Sequence, residues 1–141
     1  NSGVALFSGS GSDVGILGNQ IMVPSNVDCA GTFTARIAWY PGSGASAAEV
    51  MKWFVLTSFV AVGVDSSVSP TFNTADTATA TLGASPVAKQ IITSITLTNG
   101  ATGCAADTVL RFQIKRDAGD GTDTMVGAAS AYAFELIVPV I

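Results

Sequence analysis

Hydrophobic and polar residues alternate along much of this chain with a period of two, the pattern of strands that bury one face. The alternation is clearest at residues 109–115 and 32–39. The residues predicted to face inward are Leu110, Phe112 and Ile114 in the first segment and Phe33, Ala35, Ile37 and Trp39 in the second. Both segments are therefore predicted to be half-buried β-strands.

The rest of the chain divides into further short strands, predicted at residues 4–7, 20–23, 51–62, 77–82, 91–98 and 131–140. Clusters of Gly, Ser, Asp, Asn and Pro separate them, and these residues favour turns. The one segment where a helix competes, residues 47–52, is too short to form a stable helix by itself. About eight strands in a chain of ordinary domain size predict one all-β domain over residues 1–141, a single antiparallel β-sandwich that is jelly-roll-like.

The strand predicted at residues 51–62 is apolar on both faces. Phe54, Leu56 and Val60 alternate with a second apolar set, so neither face has the polar character of a strand in contact with water. Two explanations are open: the strand is covered on both sides within the sandwich, or its second face meets another subunit. The second explanation makes Phe54, Leu56 and Val60 candidates for a subunit interface.

The last predicted strand also divides into two faces. One carries Tyr132, Phe134, Leu136, Val138 and Val140, and the other carries Ala131, Ala133, Glu135, Ile137 and Pro139. Across the chain, alternation places most of the aromatic residues at core positions.

The composition narrows the range of functions. Charged residues make up 11% of the chain, and six basic against ten acidic side chains give a net charge of -4, so no basic surface is available for nucleic acid. Because the chain contains no histidine, Ser-His-Asp and Cys-His catalytic systems and zinc sites that need imidazole are excluded. The aspartates lie mostly in turns, and nothing pairs two carboxylates across a cleft. We therefore expect a non-enzymatic protein without a cofactor.

The longest apolar stretch, residues 53–64, is interrupted by Thr57 and Ser58 and is far shorter than the roughly 20 apolar residues that span a bilayer. We therefore expect no membrane span. The chain begins with Asn1 and lacks the basic and apolar regions of a signal peptide, so we expect a processed product or part of a longer protein. Cys29 and Cys104 are compatible with one disulfide, but a lone pair lacks the cysteine density of a secreted disulfide scaffold, so two buried thiols are the favoured alternative.

Two groups of residues are candidates for ligand binding. Asp117, Asp120 and Asp123 offer oxygen ligands in one Gly-containing loop, but their spacing differs from that of helix-loop-helix calcium sites and no bidentate glutamate follows. A solvated turn is thus the favoured interpretation, with calcium binding as the alternative. Tyr40, next to Pro41, is the best exposed aromatic candidate for stacking on a sugar.

The last third of the chain carries a resemblance. This part resembles the closing hairpin of a β-sandwich domain in virion surface proteins of tailed bacteriophages. In that hairpin a strand ending Arg-Asp leads through a polar loop to Asp-Thr. The matching residues here are 107–117, Asp123-Thr124 and 131–138. Upstream motifs occur in similar order: Val23-Pro24, Trp39-Tyr40, Lys52-Trp53-Phe54 and Pro70-Thr71-Phe72-Asn73. The cysteines and the apolar loop after Gly127 depart from this pattern, so no functional residue is carried over.

The resemblance implies a structural protein of the virion surface, either a capsid decoration protein or a fibre head, that forms a homotrimer and contacts other virion proteins. Attachment to the capsid and attachment to a tail are both compatible with it. One alternative is a carbohydrate-binding or receptor-binding tip that holds a host surface glycan through Tyr40 and the loop from Asp117 to Asp123. Another is a subunit of an extracellular filament that donates residues 1–23 or the final strand to a neighbour.

Overall fold

In this computed structural model, residues 5–7, 16–61, 63 and 71–141 are described. Within them the chain forms eight β-strands and no helix. In chain order the strands are β1 (Ala5–Phe7), β2 (Ile16–Met22), β3 (Phe33–Pro41), β4 (Val50–Val60), β5 (Asp76–Thr81), β6 (Ile91–Leu97), β7 (Val109–Arg116) and β8 (Ala129–Ile137). The described part of the chain holds no helix long and apolar enough to cross a membrane.

The strands form two antiparallel sheets that pack against each other. Sheet A has the order β1-β8-β3-β6, and sheet B has the order β2-β7-β4-β5. Consecutive strands along the chain therefore lie mostly in opposite sheets, which is the wiring of a jelly roll. The predicted fold, an all-β jelly-roll sandwich, is confirmed.

Aromatic side chains from both sheets meet in the core. Trp39 of β3 and Trp53 of β4 are both fully buried, and their rings pack edge to face with centroids 5.6 Å apart. The indole Nε1 of Trp39 donates a hydrogen bond of 3.0 Å to the hydroxyl of Thr93 on β6. A second pair, Phe112 of β7 and Phe134 of β8, stacks with centroids 4.5 Å apart. Each pair joins the two sheets. Aromatic pairs in these geometries stabilise the fold by more than the apolar area they bury.

The strand bounds differ most from prediction at β2, which is predicted at residues 20–23 but extends over Ile16–Met22. Its register runs without interruption from Ile16 opposite Lys115 to Met22 opposite Val109. Gly18 and Asn19 have low strand propensity, and pairing along β7 overrides that preference. Residues 4, 62 and 64–70, which fall in the predicted first strand, the two-faced strand and the connection after it, lie outside the described residues.

The predicted facing of the last strand is partly wrong, because β8 contains a β-bulge. Ala38 lies opposite Ala133 but Trp39 lies opposite Ala131, so Tyr132 is an extra residue in the pairing. Ala131, predicted to share a face with the exposed Ala133, is buried in the core, and Tyr132, predicted to share a face with Phe134, has its ring against Tyr40 on the outer face of sheet A. Strict alternation fails at a bulge, where two residues oppose one.

Val140, predicted to lie on the same face as Phe134, is 64% exposed. It follows the end of β8 and makes an isolated bridge with Val27, so the strand alternation no longer governs its direction.

Cys29 and Cys104 form a disulfide, so the alternative favoured from the sequence, two buried thiols, is wrong. Their Cα atoms are 5.6 Å apart although the residues are separated by 75 positions. Cys29 lies in the connection from β2 to β3, and Cys104 lies in the connection from β6 to β7. The bond therefore ties together two connections that belong to different parts of the chain.

Removing this bond is expected to destabilise the domain substantially. For a closed loop of this length, the loss of chain entropy in the unfolded state corresponds to about 4 kcal/mol. The double variant Cys29→Ser with Cys104→Ser should lose about 2–4 kcal/mol of unfolding free energy, measured by urea denaturation. The wild-type protein in strong reductant is the control and should show the same loss; an unchanged midpoint in both samples would contradict a stabilising disulfide.

Candidate functional site on the outer faces and the aspartate loop

The loop between β7 and β8 is held by a buried ion pair. Arg116 and Asp123 have side chains 1% and 0% exposed, and the guanidinium donates two parallel hydrogen bonds to the carboxylate: Nε to Oδ2 and Nη2 to Oδ1, each 2.8 Å. Arg116 also donates to the carbonyl of Gly127, at 2.7 Å, and to that of Met125. A bidentate pair with its remaining donors satisfied is the arrangement in which a buried charge is tolerated.

Asp123 accepts two further hydrogen bonds from backbone amides. The backbone N–H groups of Lys52 and Met125 donate to its carboxylate, and each donor–acceptor distance is 3.2 Å. The carboxylate predicted as a calcium ligand is therefore fixed between β4, β7 and its own loop. Sequence reasoning missed the burial of Arg116, although the alternation through Leu110 and Ile114 places position 116 on the inner face.

Asp120, the second predicted ligand, is bound within the protein as well. Its Oδ1 accepts hydrogen bonds from the hydroxyl and the backbone amide of Thr122, and its Oδ2 accepts one of 3.0 Å from the ammonium of Lys52. These contacts, above all the Thr122 hydroxyl, lower the pKa of Asp120 from 3.8 to about 2. The carboxylate is thus ionised under all ordinary conditions.

The third predicted ligand, Asp117, caps its own turn by accepting a hydrogen bond of 3.0 Å from the amide of Gly119. The three carboxylates thus face different partners: a backbone amide, a lysine with a threonine, and a buried arginine. Within the described ranges no group of three or more Cys, Asp or Glu side chains is arranged to hold a metal ion. These contacts agree with the turn interpretation of the loop.

The outer face of sheet B carries the residues predicted for a subunit interface. Phe54, Leu56 and Val60 are all half-buried. The ammonium groups of Lys52 and Lys115 lie 5.0 Å and 5.5 Å from the centroid of the Phe54 ring. Cations over an aromatic face are attracted to it, and the lysine stems cover part of the apolar surface. Ser58 and Arg111, which lie opposite each other on the same face, are buried, so part of this face is covered and both explanations stay open.

The outer face of sheet A presents a different surface. Tyr40 and Tyr132 form a tilted aromatic pair with ring centroids 6.1 Å apart, and both are partly exposed. Arg36 and Glu135 lie opposite each other on β3 and β8 and form a salt bridge of 2.8 Å. Sequence reasoning identified Tyr40 but missed Tyr132, because the bulge that turns it outward leaves no signal in the hydrophobic pattern.

The structure does not bring Tyr40 together with Asp120. Tyr40 alternates with the buried Trp39 and lies on the outer face of sheet A. Asp120 is bonded to Lys52, which alternates with the buried Met51 and Trp53 and lies on the outer face of sheet B. The ligand site predicted from both groups is therefore divided between opposite sides of the sandwich.

Comparison with known proteins adds no relative. No protein-family model matches the sequence, and no curated protein matches it significantly. The resemblance to phage virion proteins therefore stays a prediction, and function has to be argued from the fold and its surfaces.

The buried ion pair and the exposed one allow a matched test. Asp123→Asn leaves the Arg116 charge buried without its counterion, so we expect a loss of about 3–5 kcal/mol of unfolding free energy. The control Glu135→Gln breaks the exposed pair with Arg36 and should cost less than about 1 kcal/mol. Urea denaturation measures both. If Asp123→Asn lost no more unfolding free energy than Glu135→Gln, and both losses were below about 1 kcal/mol, the buried pair would not stabilise the loop.

The lowered pKa of Asp120 predicts how the stability of the protein changes with pH. Its pKa is lower in the folded state than the value of 3.8 in the unfolded chain. Its contacts therefore contribute their full stabilisation at a pH above 3.8, and this contribution is lost as the pH falls toward about 2. In a carboxyl NMR titration Asp120 should ionise near 2, and Thr122→Val should move its pKa up toward 3.8 because the largest contributor is removed. A wild-type titration midpoint near 3.8 would contradict these contacts in solution.

Proposed function

We propose that this chain is a non-enzymatic structural domain of a virion surface, a capsid decoration protein or a fibre head, and that it assembles as a homotrimer. The observation that carries the proposal is the half-covered apolar face of sheet B, in a chain with only 11% charged residues. A surface with so little charge is poorly protected against association unless part of it is covered. The jelly-roll wiring supports the proposal by analogy, since the fold recurs in viral capsid proteins and in lectins.

The chemistry of the face suits contact between copies. Phe54 and Leu56 supply apolar area at the middle of β4, a strand flanked on both sides within its sheet. Lys52 and Lys115 border Phe54 and supply a polar rim, the usual composition at the edge of an interface. In a ring of three identical subunits, two different patches of each subunit meet around the axis, and closure of the ring limits association to three copies.

The disulfide between Cys29 and Cys104 supports a location outside the reducing cytoplasm. Structural disulfides persist in oxidising surroundings, which include the surfaces of virions and cells. The bond therefore fits a domain that functions on an extracellular particle.

Strand donation in a filament receives less support. The first segment that could be donated pairs within the chain, β1 with β8 and β2 with β7, and the final strand pairs with both β1 and β3. Donation to a neighbour would require these internal pairs to break first. A closed assembly through the face of β4 requires no such change.

The solution mass tests the trimer directly. Light scattering should give a mass of about three times the 14.2 kDa of one chain, the value for a closed threefold ring. Leu56→Asp places a charge in the apolar face and should reduce the mass to that of a monomer. Thr96→Asp, an exposed position on the outer face of sheet A, is the matched control and should leave the trimer intact.

A wild-type monomer at micromolar concentration would exclude the homotrimer. Polymers of increasing mass would favour the filament instead. If both variants and the wild type form the same trimer, the interface lies elsewhere than on Leu56.

A further inference from the structure

The outer face of sheet A contains a hollow whose floor is made by two small side chains. Ala38 of β3 lies directly opposite Ala133 of β8 and opposite Ile92 of β6, so one row across three strands reads Ile-Ala-Ala. Ile92 is 50% exposed and forms one wall. Because the neighbouring rows carry longer side chains, the two alanines leave a depression of about 160 Å³.

The hollow is lined by Arg36, Ala38, Ile92, Ala133, Phe134 and Glu135, and an aromatic pair lies next to this lining along β3. Tyr40 is two residues from Ala38 on the same face, and the bulge in β8 brings Tyr132 against it with 6.1 Å between ring centroids. Without the bulge, Tyr132 would alternate with Ala133 and point toward the core. Bulges are frequent next to functional sites because they re-aim a side chain in this way. The result is a partly exposed aromatic surface beside a small cavity.

A polar pair borders the opposite side of the hollow. Arg36 is two residues from Ala38 in the other direction and lies opposite Glu135, with 42% and 57% of the two side chains exposed. The guanidinium has further donors, and the carboxylate further acceptors, than the single 2.8 Å bond between them uses. Because the two charges compensate each other, this edge offers hydrogen bonds without net charge.

These three features together define a class of ligand. Aromatic ring faces are electron-rich and attract polarised C–H bonds, and paired donors and acceptors match neighbouring hydroxyl groups. The depression is smaller than the roughly 300–1,000 Å³ of pockets for drug-sized ligands, which suits one six-membered ring with the rest of the molecule in solvent. The absence of net charge at Arg36 and Glu135 favours an uncharged ring over an acidic one.

We propose that this hollow binds a neutral pyranose sugar, with the ring over Ala38 and Ala133, one edge of it directed toward the neighbouring Tyr40 and Tyr132, and its hydroxyl groups bonded to Arg36 and Glu135. The occupant is a single residue of a glycan chain, since the hollow is open to solvent. The site lies on the sheet opposite the proposed trimer face, so it does not depend on the trimer. If both proposals hold, the assembled trimer presents several copies of the hollow, and weak binding at each is strengthened by multivalency.

The test is a glycan array followed by NMR titration of the isotope-labelled full chain. The array carries neutral and sialylated oligosaccharides, and the titrations use methyl β-galactoside, methyl β-glucoside, N-acetylglucosamine and sialic acid. We expect amide shifts at Ala38, Tyr132 and Ala133 with a neutral sugar, and weaker or no shifts with sialic acid. Light scattering of the same sample reports the assembly state separately.

Two variants probe the hollow without touching the core. Ala133→Gln fills the floor from an exposed position and should abolish binding, and Tyr132→Ala removes half of the aromatic surface and should weaken binding by about tenfold or more. Thr96→Ala, on the same face but outside the hollow, is the control and should bind as the wild type does. Thermal unfolding of each variant checks that the fold is retained.

No hit on the array and no shifts in the titrations would overturn the proposal, as would sugar binding that survives Ala133→Gln. Stronger binding of sialic acid than of the neutral sugars would also overturn it. A monomer that binds the sugar would contradict the proposed trimer and support this site. A trimer that binds no sugar would support the trimer and contradict this site.

Discussion

The edge-to-face contact between Trp39 and Trp53 is the interaction on which the rest of the structure depends. Each indole lies on a strand inside its sheet, β3 in sheet A and β4 in sheet B, and each is fully buried. With these two side chains directed inward, alternation along the same strands directs Tyr40 to one outer face and Phe54 to the other. Both candidate surfaces are therefore consequences of how the core is filled, since a shift of one residue in either strand would exchange the two sets.

The ion pair of Arg116 and Asp123 connects the core to the surface of sheet A. It fixes the carbonyls of Met125 and Gly127, and the next carbonyl, that of Ala128, accepts a hydrogen bond of 2.7 Å from the amide of Gly42, the residue that follows β3. β8 begins at the following residue, and its bulge comes three positions later. A close approach of the two loops is needed here, because a Cβ atom on Gly127 would lie 2.9 Å from the carbonyl oxygen of Ser43. The starting point of β8, and with it the position of Tyr132, is thus set by a buried charge pair.

The sequence was informative where burial and alternation coincide. The inner faces of β3 and β7 are buried as predicted, and the number and spacing of strands led to the correct sandwich. It was uninformative where long-range pairing decides the outcome: the length of β2 depends on β7, and the bulge in β8 depends on its register with β3. The disulfide and the partner of Arg116 also depend on which loops meet in space. The division of Tyr40 and Asp120 between two faces follows from the same limitation, since the side of the sandwich on which two distant residues lie is known only once the strand pairing is known.

The strand order also determines what the chain can form while it is being synthesised. β1 pairs with β8, so the first of the described strands to be synthesised finds its partner only after the last of them has been made. Until then sheet A lacks the strand that joins β1 to β3, and the apolar inner faces stay accessible to other nascent chains. Loop closure over such distances slows folding and prolongs this exposure. Production of this domain in quantity thus depends on conditions that keep incomplete chains apart and supply an oxidant once Cys104 has emerged.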